Sequence, residues 1–245
     1  MTRLIIILFF IIIPWLNCSA GEFPFKNNEK YEYYIKCYGL TVGVASLSIH
    51  LKGNIAKLSL ASRSTGLAEY IVPFRIKCNS IFNIKKNRFT EYRHIVRFKK
   101  EKENYIISEN NNIYNVYYLL DADNKLLKKY PGLICREKST ESLIALRIRS
   151  LSYVGEIYDP LSLLIAFCSL KKNIALLSNN RINIIKTNIE KRKGILRIVP
   201  ELRLPGILPK GSKGYIDMES SIPRIPVEIR VDAPGFGKFY IYKRR

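Results

Sequence analysis

Acidic side chains are scarce in this chain of 245 residues: 20 Asp and Glu stand against 41 Lys and Arg, a formal net charge of +21. Histidine is scarcer, with only His50 and His94. Two isolated imidazoles do not make a metal centre, and none of the five cysteines forms the close pair usual in zinc sites. No Gly-x-Ser-x-Gly elbow, paired-histidine zinc motif or phosphate loop occurs. No catalytic residue, metal ligand or cofactor is therefore assigned. A hydrolase built on Asp159, Ser162 and one of the histidines is disfavoured, because nothing in the sequence brings them together. No internal repeat or long linker divides the chain. No apolar run reaches the roughly 20 residues that span a bilayer comfortably.

The longest apolar run, Leu4 to Leu16, follows Thr2-Arg3 and precedes Asn17-Cys18-Ser19-Ala20-Gly21. A basic start, a short apolar segment and small residues describe a secretory signal peptide over residues 1–20, cut between Ala20 and Gly21. The expectation is an exported, periplasmic protein with one β-rich domain over residues 21–245. The alternatives are lipid modification of Cys18 and an uncleaved N-terminal anchor. Export also changes the meaning of the remaining cysteines. Cys37, Cys78, Cys135 and Cys168 become disulfide candidates with three pairings open. Buried free thiols are the other reading.

Hydrophobic residues make up 47% of the chain and tyrosine occurs 16 times, a composition suited to strands with half-buried faces. Short alternating segments separated by turn residues run through most of the chain: 29–38, 44–51, 55–64, 75–83, 91–99, 104–108, 115–120, 182–190 and 195–202. Gly39 to Gly43 and Gly53-Asn54 read as turns. The stretch from Gly66 to Phe74 reads as a short helix ending near Pro73, or as a loop over a barrel end. Residues 125–136 read as irregular, and Ser139 to Ser150 as a helix. The clearest helix runs from Asp159 to Leu170. Asp159 suits the N-cap, where its carboxylate accepts orphan amides, and Pro160 suits the first helical position. Apolar all round, this helix belongs against or inside the sheet.

The chain closes on a hairpin from Pro223 to Tyr242. Val227, Ile229 and Val231 alternate with Glu228 and Arg230, the period of a half-buried strand. Pro223 and Pro226 mark an edge or a strand start, and Gly235 and Gly237 supply the turn into the last strand. The fold class is mainly β, an antiparallel barrel-like or rolled sheet with one buried apolar helix and a second short helix as an option.

The order of these features resembles the bacterial exported proteins grouped as domain of unknown function 3108. The resemblance covers nearly the whole mature chain. It rests on Gly39 to Gly43, Ser64-Thr65-Gly66, Cys78-Asn79-Ser80, Asp159-Pro160-Leu161-Ser162 and the closing Arg224-Ile225-Pro226-Val227. Ser220 and Ser221 stand where the family usually has an aspartate. The resemblance implies a β-rich periplasmic barrel or roll and no established activity.

Two readings of the positive charge follow. Lys, Ile and Asn are all overused, as a base-composition bias would produce, and the basic residues are scattered, which favours a solvated surface. A surface for an anionic partner is the other reading. A barrel or roll offers a concave apolar interior. The function expected is thus a non-enzymatic binding module for an apolar or lipid-like envelope ligand, with basic residues at the rim for its head group. The alternative is a structural envelope protein that binds a protein partner. Membrane association would run through the N-terminus or the basic surface, and nucleic acid is disfavoured for an exported chain.

Overall fold

The structure is a computed structural model that describes residues 25–98, 101–121, 134–136, 143–168, 170–178, 181–192, 194–201, 211–220, 226–234 and 237–244. Residues 1–24, with Cys18, Ala20 and Gly21, and also Pro223, Arg224 and Gly235, lie outside the described residues.

Period-two patterning builds most of the described sheet. In one strand, Ala56, Leu58, Leu60, Ser62 and Ser64 are buried, while Lys57, Ala61 and Arg63 face solvent. Fifteen such strands pair: β1 (Glu29–Cys37), β2 (Leu40–Lys52), β3 (Ile55–Ser64), β4 (Phe74–Asn83), β5 (Arg88–Phe98), β6 (Glu101–Asn110), β7 (Ile113–Asp121), β8 (Ile134–Arg136), β9 (Leu143–Ser152), β10 (Asn173–Ser178), β11 (Arg181–Arg192), β12 (Ile195–Pro200), β13 (Lys213–Glu219), β14 (Pro226–Ala233) and β15 (Gly237–Lys243). Two short helices, α1 (Leu67–Ile71) and α2 (Leu163–Cys168), complete the set among the described residues. The strands form one antiparallel sheet in the order β10-β11-β12-β13-β14-β15-β1-β2-β3-β4-β5-β6-β7-β9-β8. Two meanders thus join where β15 pairs with β1, at Tyr34 with Tyr242 and Ile35 with Ile241.

Among the described residues no strand-to-strand ladder closes the sheet. Instead the segment before α2 bridges it. The Phe89 amide at the start of β5 donates to the Ile157 carbonyl at 3.3 Å. Tyr158 donates to the Ala175 carbonyl at 2.9 Å and accepts from the Leu177 amide at 2.8 Å, a parallel bridge onto the edge of β10. That segment therefore covers backbone groups an edge strand would otherwise leave open. Every residue from Ile157 to Phe167 is buried. Ile157, Tyr158, Leu161 and Leu163 to Phe167 pack in one core with Leu47 and Ile49 of β2, Leu58 of β3, Phe82 of β4 and Leu176 of β10.

The structure corrects several expectations. The helix expected over Ser139 to Ser150 is overturned in its described part: Leu143–Ser152 is β9, paired with β7 and β8. Its alternation is hard to read because Val116 pairs with Arg149 and Tyr117 with Arg147, so Ile148 is an extra, bulged residue that resets the period. Within the stretch expected to be irregular, Ile134–Arg136 forms β8. Asn173–Ser178 forms β10, which carries no alternation because it is buried from Ile174 to Ser178. The α-helix is shorter than expected, since Pro160 to Ser162 form a turn and α2 starts at Leu163. Pro226 does start β14, but β14 is no edge: β13 and β15 flank it, and Pro226 sits opposite Met218 at an irregularity in the ladder. The first chain reversal is the Tyr38-Gly39 pair, both with positive φ, as a tight hairpin demands. Gly43 lies inside β2, where a Cβ would meet the Arg63 carbonyl at 2.8 Å.

Cys37 and Cys78 are free thiols, so no bridge between them or to another cysteine is formed. Cys78 faces the core of β4, where burial pushes its thiol well above the usual range. The side chains of Cys135 and Cys168 lie outside the described residues.

Candidate functional site

Two places concentrate chemistry-bearing side chains, one inside the roll and one on its outer face. Inside, Asp159 is completely buried. Its Oδ1 accepts the amides of Leu161 at 2.7 Å and Ser162 at 2.9 Å, as an N-cap carboxylate should. Its Oδ2 accepts the hydroxyls of Ser80 and Ser162, each at 2.6 Å. The Asp159 amide donates back to Ser162 Oγ at 2.9 Å, the reciprocal arrangement of a capping box. Burial pushes the carboxyl up to about 6, against the pull of these hydrogen bonds. The bond from Ser80 also ties the segment before α2 to β4, 79 residues away in sequence.

The two histidines part company. His94 lies on the inner face, opposite Cys78 in the ladder, with its ring edge-on to Tyr105 at 3.7 Å. His50 lies on the outer face, Nδ1 at 2.8 Å from Asn28 Oδ1. Ser162 Oγ is engaged with Asp159 as both donor and acceptor. Pro160 is buried in the turn before α2. Gly237 starts β15 at φ +102°, with the Tyr38 ring where a Cβ would stand, 2.6 Å from the hydroxyl oxygen.

On the outside, one row of directly opposed residues can be followed across ten strands. It reads Glu190, Arg197, Asp217, Glu228, Tyr242, Tyr34, Val44, Arg63, Arg75 and Arg97. In its first part the charges find partners. Arg197 donates Nε and Nη2 to the two oxygens of Asp217, both at 2.6 Å, and lies over the Tyr215 ring at 3.8 Å. That fork-to-fork contact holds the guanidinium firmly protonated. The Tyr215 hydroxyl donates to Glu228 at 3.1 Å. In its last part three arginines follow one another on adjacent strands. Among the described residues no carboxylate forms an ion pair with Arg63, Arg75 or Arg97.

A groove of 630 Å³ lies on this second part. Its floor includes Val44, Ser46 and Ala61, small outward residues of β2 and β3, and Arg63, Arg75 and Lys77 line it from β3 and β4. Glu32, Tyr34 and Arg244 line the opposite side. The volume falls within the range of small-molecule sites, ~300–1,000 Å³. Glu32 is engaged on its own side of the groove and not with Arg63 or Arg75. It accepts from Arg244 at 2.9 Å and from Lys30 at 3.4 Å, which hold its carboxyl below the usual range. Arg63 and Arg75 therefore face the groove, without an ion pair among the described residues, above a small, partly apolar floor. None of Arg63, Arg75, Lys77 or Arg97 stands out in the sequence, where they are spread over residues 63–97 among other scattered basic residues.

Fold and groove together define a mainly β, antiparallel rolled-sheet protein with a basic outer cleft. No family model matches the chain, and no curated protein matches it. Among solved structures, it is similar to the crystal structure of a beta-barrel-like protein of domain of unknown function DUF1849 from Brucella abortus. The two share 9% identity at a TM-score of 0.46, over 88% of this chain and 94% of that one.

Proposed function

We propose that this chain is a non-enzymatic binding module of the bacterial envelope whose outer groove takes an anionic, lipid-like amphiphile. The observation that supports it is the run Arg63, Arg75 and Arg97 on neighbouring strands, two of the three lining a groove of ligand size. Like charges directly opposite one another destabilise a sheet, and a bound phosphate or carboxylate removes that cost. Arginine suits the task because its planar fork grips such oxygens two at a time. Val44 and Ala61 offer apolar contact beside the cations. The interior, the expected home of an apolar ligand, is occupied by the segment from Ile157 to Phe167, which directs the ligand reading outward.

The test is calorimetric titration with two soluble short-chain lipids, dihexanoyl phosphatidic acid and its phosphatidylcholine counterpart. The anionic lipid should bind and the zwitterionic one should not. Arg63→Gln with Arg75→Gln should weaken binding at least about tenfold, as loss of charge-assisted hydrogen bonds implies. Equal binding of both lipids, no binding at all, or an unaffected double variant would overturn the reading.

A further inference from the structure

At one end of the roll the chain exposes apolar side chains that the fold does not use. The β1–β2 turn presents Tyr38 and Leu40, both exposed. The β3–β4 connection presents Leu67, Tyr70 and Ile71, which are 77%, 87% and 68% exposed. The second connection is tied to β2 just past the first, since the Thr65 amide donates to the Val42 carbonyl at 3.1 Å. Helix α1 buries none of its five residues, so its three large apolar side chains contribute nothing to the core. Clustered exposed apolar groups of this kind mark a docking surface rather than a solvated one.

Directly behind this tip runs a collar of cations. Lys36 and Arg63 are next to last in β1 and β3, Arg75 is second in β4, and Arg97 is next to last in β5. Each stands one residue from the same end of the sheet, about 3.3 Å along the strand. Glu69 in α1 is the one acidic residue of the tip connections Tyr38–Gly39 and Thr65–Pro73.

We propose that this end of the molecule docks onto an anionic lipid bilayer, with Leu67, Tyr70, Ile71, Tyr38 and Leu40 entering the interface and the collar meeting the head groups. The charge pattern selects this occupant. Aliphatic and tyrosine side chains ahead of a ring of basic ones match the layering of an interface, apolar beneath and negative above. The inference shares Arg63, Arg75 and Arg97 with the groove reading and otherwise stands on different residues. Docking would bring the groove next to its source of amphiphile.

The experiment is co-sedimentation of the protein with vesicles of phosphatidylcholine alone and of phosphatidylcholine mixed with phosphatidylglycerol. The protein should sediment with the mixed vesicles only, and less as salt is raised. The variant Leu67→Ser, Tyr70→Ser, Ile71→Ser removes exposed groups and leaves the core intact. It should lose at least about tenfold in vesicle affinity while titrating with soluble dihexanoyl phosphatidic acid like the parent chain. Tyr70→Trp supplies a second readout, an indole emission shift to shorter wavelength on adding mixed vesicles. The inference is overturned if the protein ignores the vesicles, if the triple variant sediments unchanged, or if the emission of the Tyr70→Trp variant does not move. A chain that fails to bind the soluble lipid but docks through its tip would sink the groove reading alone.

Discussion

The outer row of the sheet passes through two regions made from the same kinds of residue and arranged oppositely. Across β11 to β14 the charges are engaged by neighbours: Arg197 has Asp217 on one side and the Tyr215 ring beneath it, and Glu228, opposite Asp217, has the Tyr215 hydroxyl. Across β3 to β5 the row holds three arginines and no acid. A protein can therefore finish its electrostatics within the chain, or leave them unfinished. The first arrangement serves stability, and the second is useful only if something else arrives. The buried Asp159 belongs with the first kind, because two hydroxyls and two amides meet its carboxylate.

The contrast is sharpest at Asp159. Asp159→Ala strands the Ser80 and Ser162 hydroxyls and two amides in the core and should cost about 3–5 kcal/mol in urea denaturation. A loss under about 1 kcal/mol would mean that water or repacking replaces the carboxylate. The pH dependence is the next largest effect. Burial raises this carboxyl from 3.8 to about 6 in the folded chain. The folded state therefore holds its proton more tightly than the unfolded one. The stability this confers is complete below pH 3.8 and is lost as pH rises through about 6. The shift is worth about 3 kcal/mol. Asp159→Asn cannot titrate, so the stability of the parent chain minus that of the variant should fall by about that amount between about pH 3.5 and 7. A flat difference would contradict the raised value.

On the partnered half of the outer face, Asp217→Ala should cost about 1–2 kcal/mol, because it breaks a bidentate contact in which both side chains are largely shielded. Tyr215→Leu with Asp217→Ala should show coupling in a double-mutant cycle, since both groups hold the same guanidinium. Additive effects would mean that Arg197 contributes through packing alone.

How far these two regions were legible in the sequence follows from what sets register. The strands from β1 to β7 were readable because turn residues such as Gly53-Asn54 separate them and one face of each strand is apolar. The capping role of Asp159 was readable because it is local: a carboxylate, a proline and a serine within four residues. β9 was not, since the bulge at Ile148 breaks its period, and neither was β10, which is buried throughout all but its first residue. The arginine row was invisible for a different reason. Arg63, Arg75 and Arg97 become neighbours only through the registers of two ladders, one of them set across the connection that contains α1. Scattered in sequence, they read as solvated charges; lined up in space, they are a site. The apolar residues of α1 were equally ambiguous, because exposure depends on what the rest of the fold leaves uncovered.

The smallest effect is also the one that separates the halves most cleanly, because its sign is reversed. Arg75 has an arginine directly opposite on each side and no ion pair with any described carboxylate. Arg75→Gln keeps much of the side chain and removes the charge, so the unliganded protein should become more stable by about 0.5 kcal/mol at low salt. The gain should shrink as salt screens the row, since these side chains are exposed. The corresponding change on the other half, Asp217→Asn, should destabilise under the same conditions. Adding a short-chain anionic lipid should then invert the order at position 75, with the parent chain gaining stability by mass action and the variant gaining less. If Arg75→Gln destabilises the free protein instead, the arginine row satisfies itself within the chain, and the two halves of the outer face do not differ in kind.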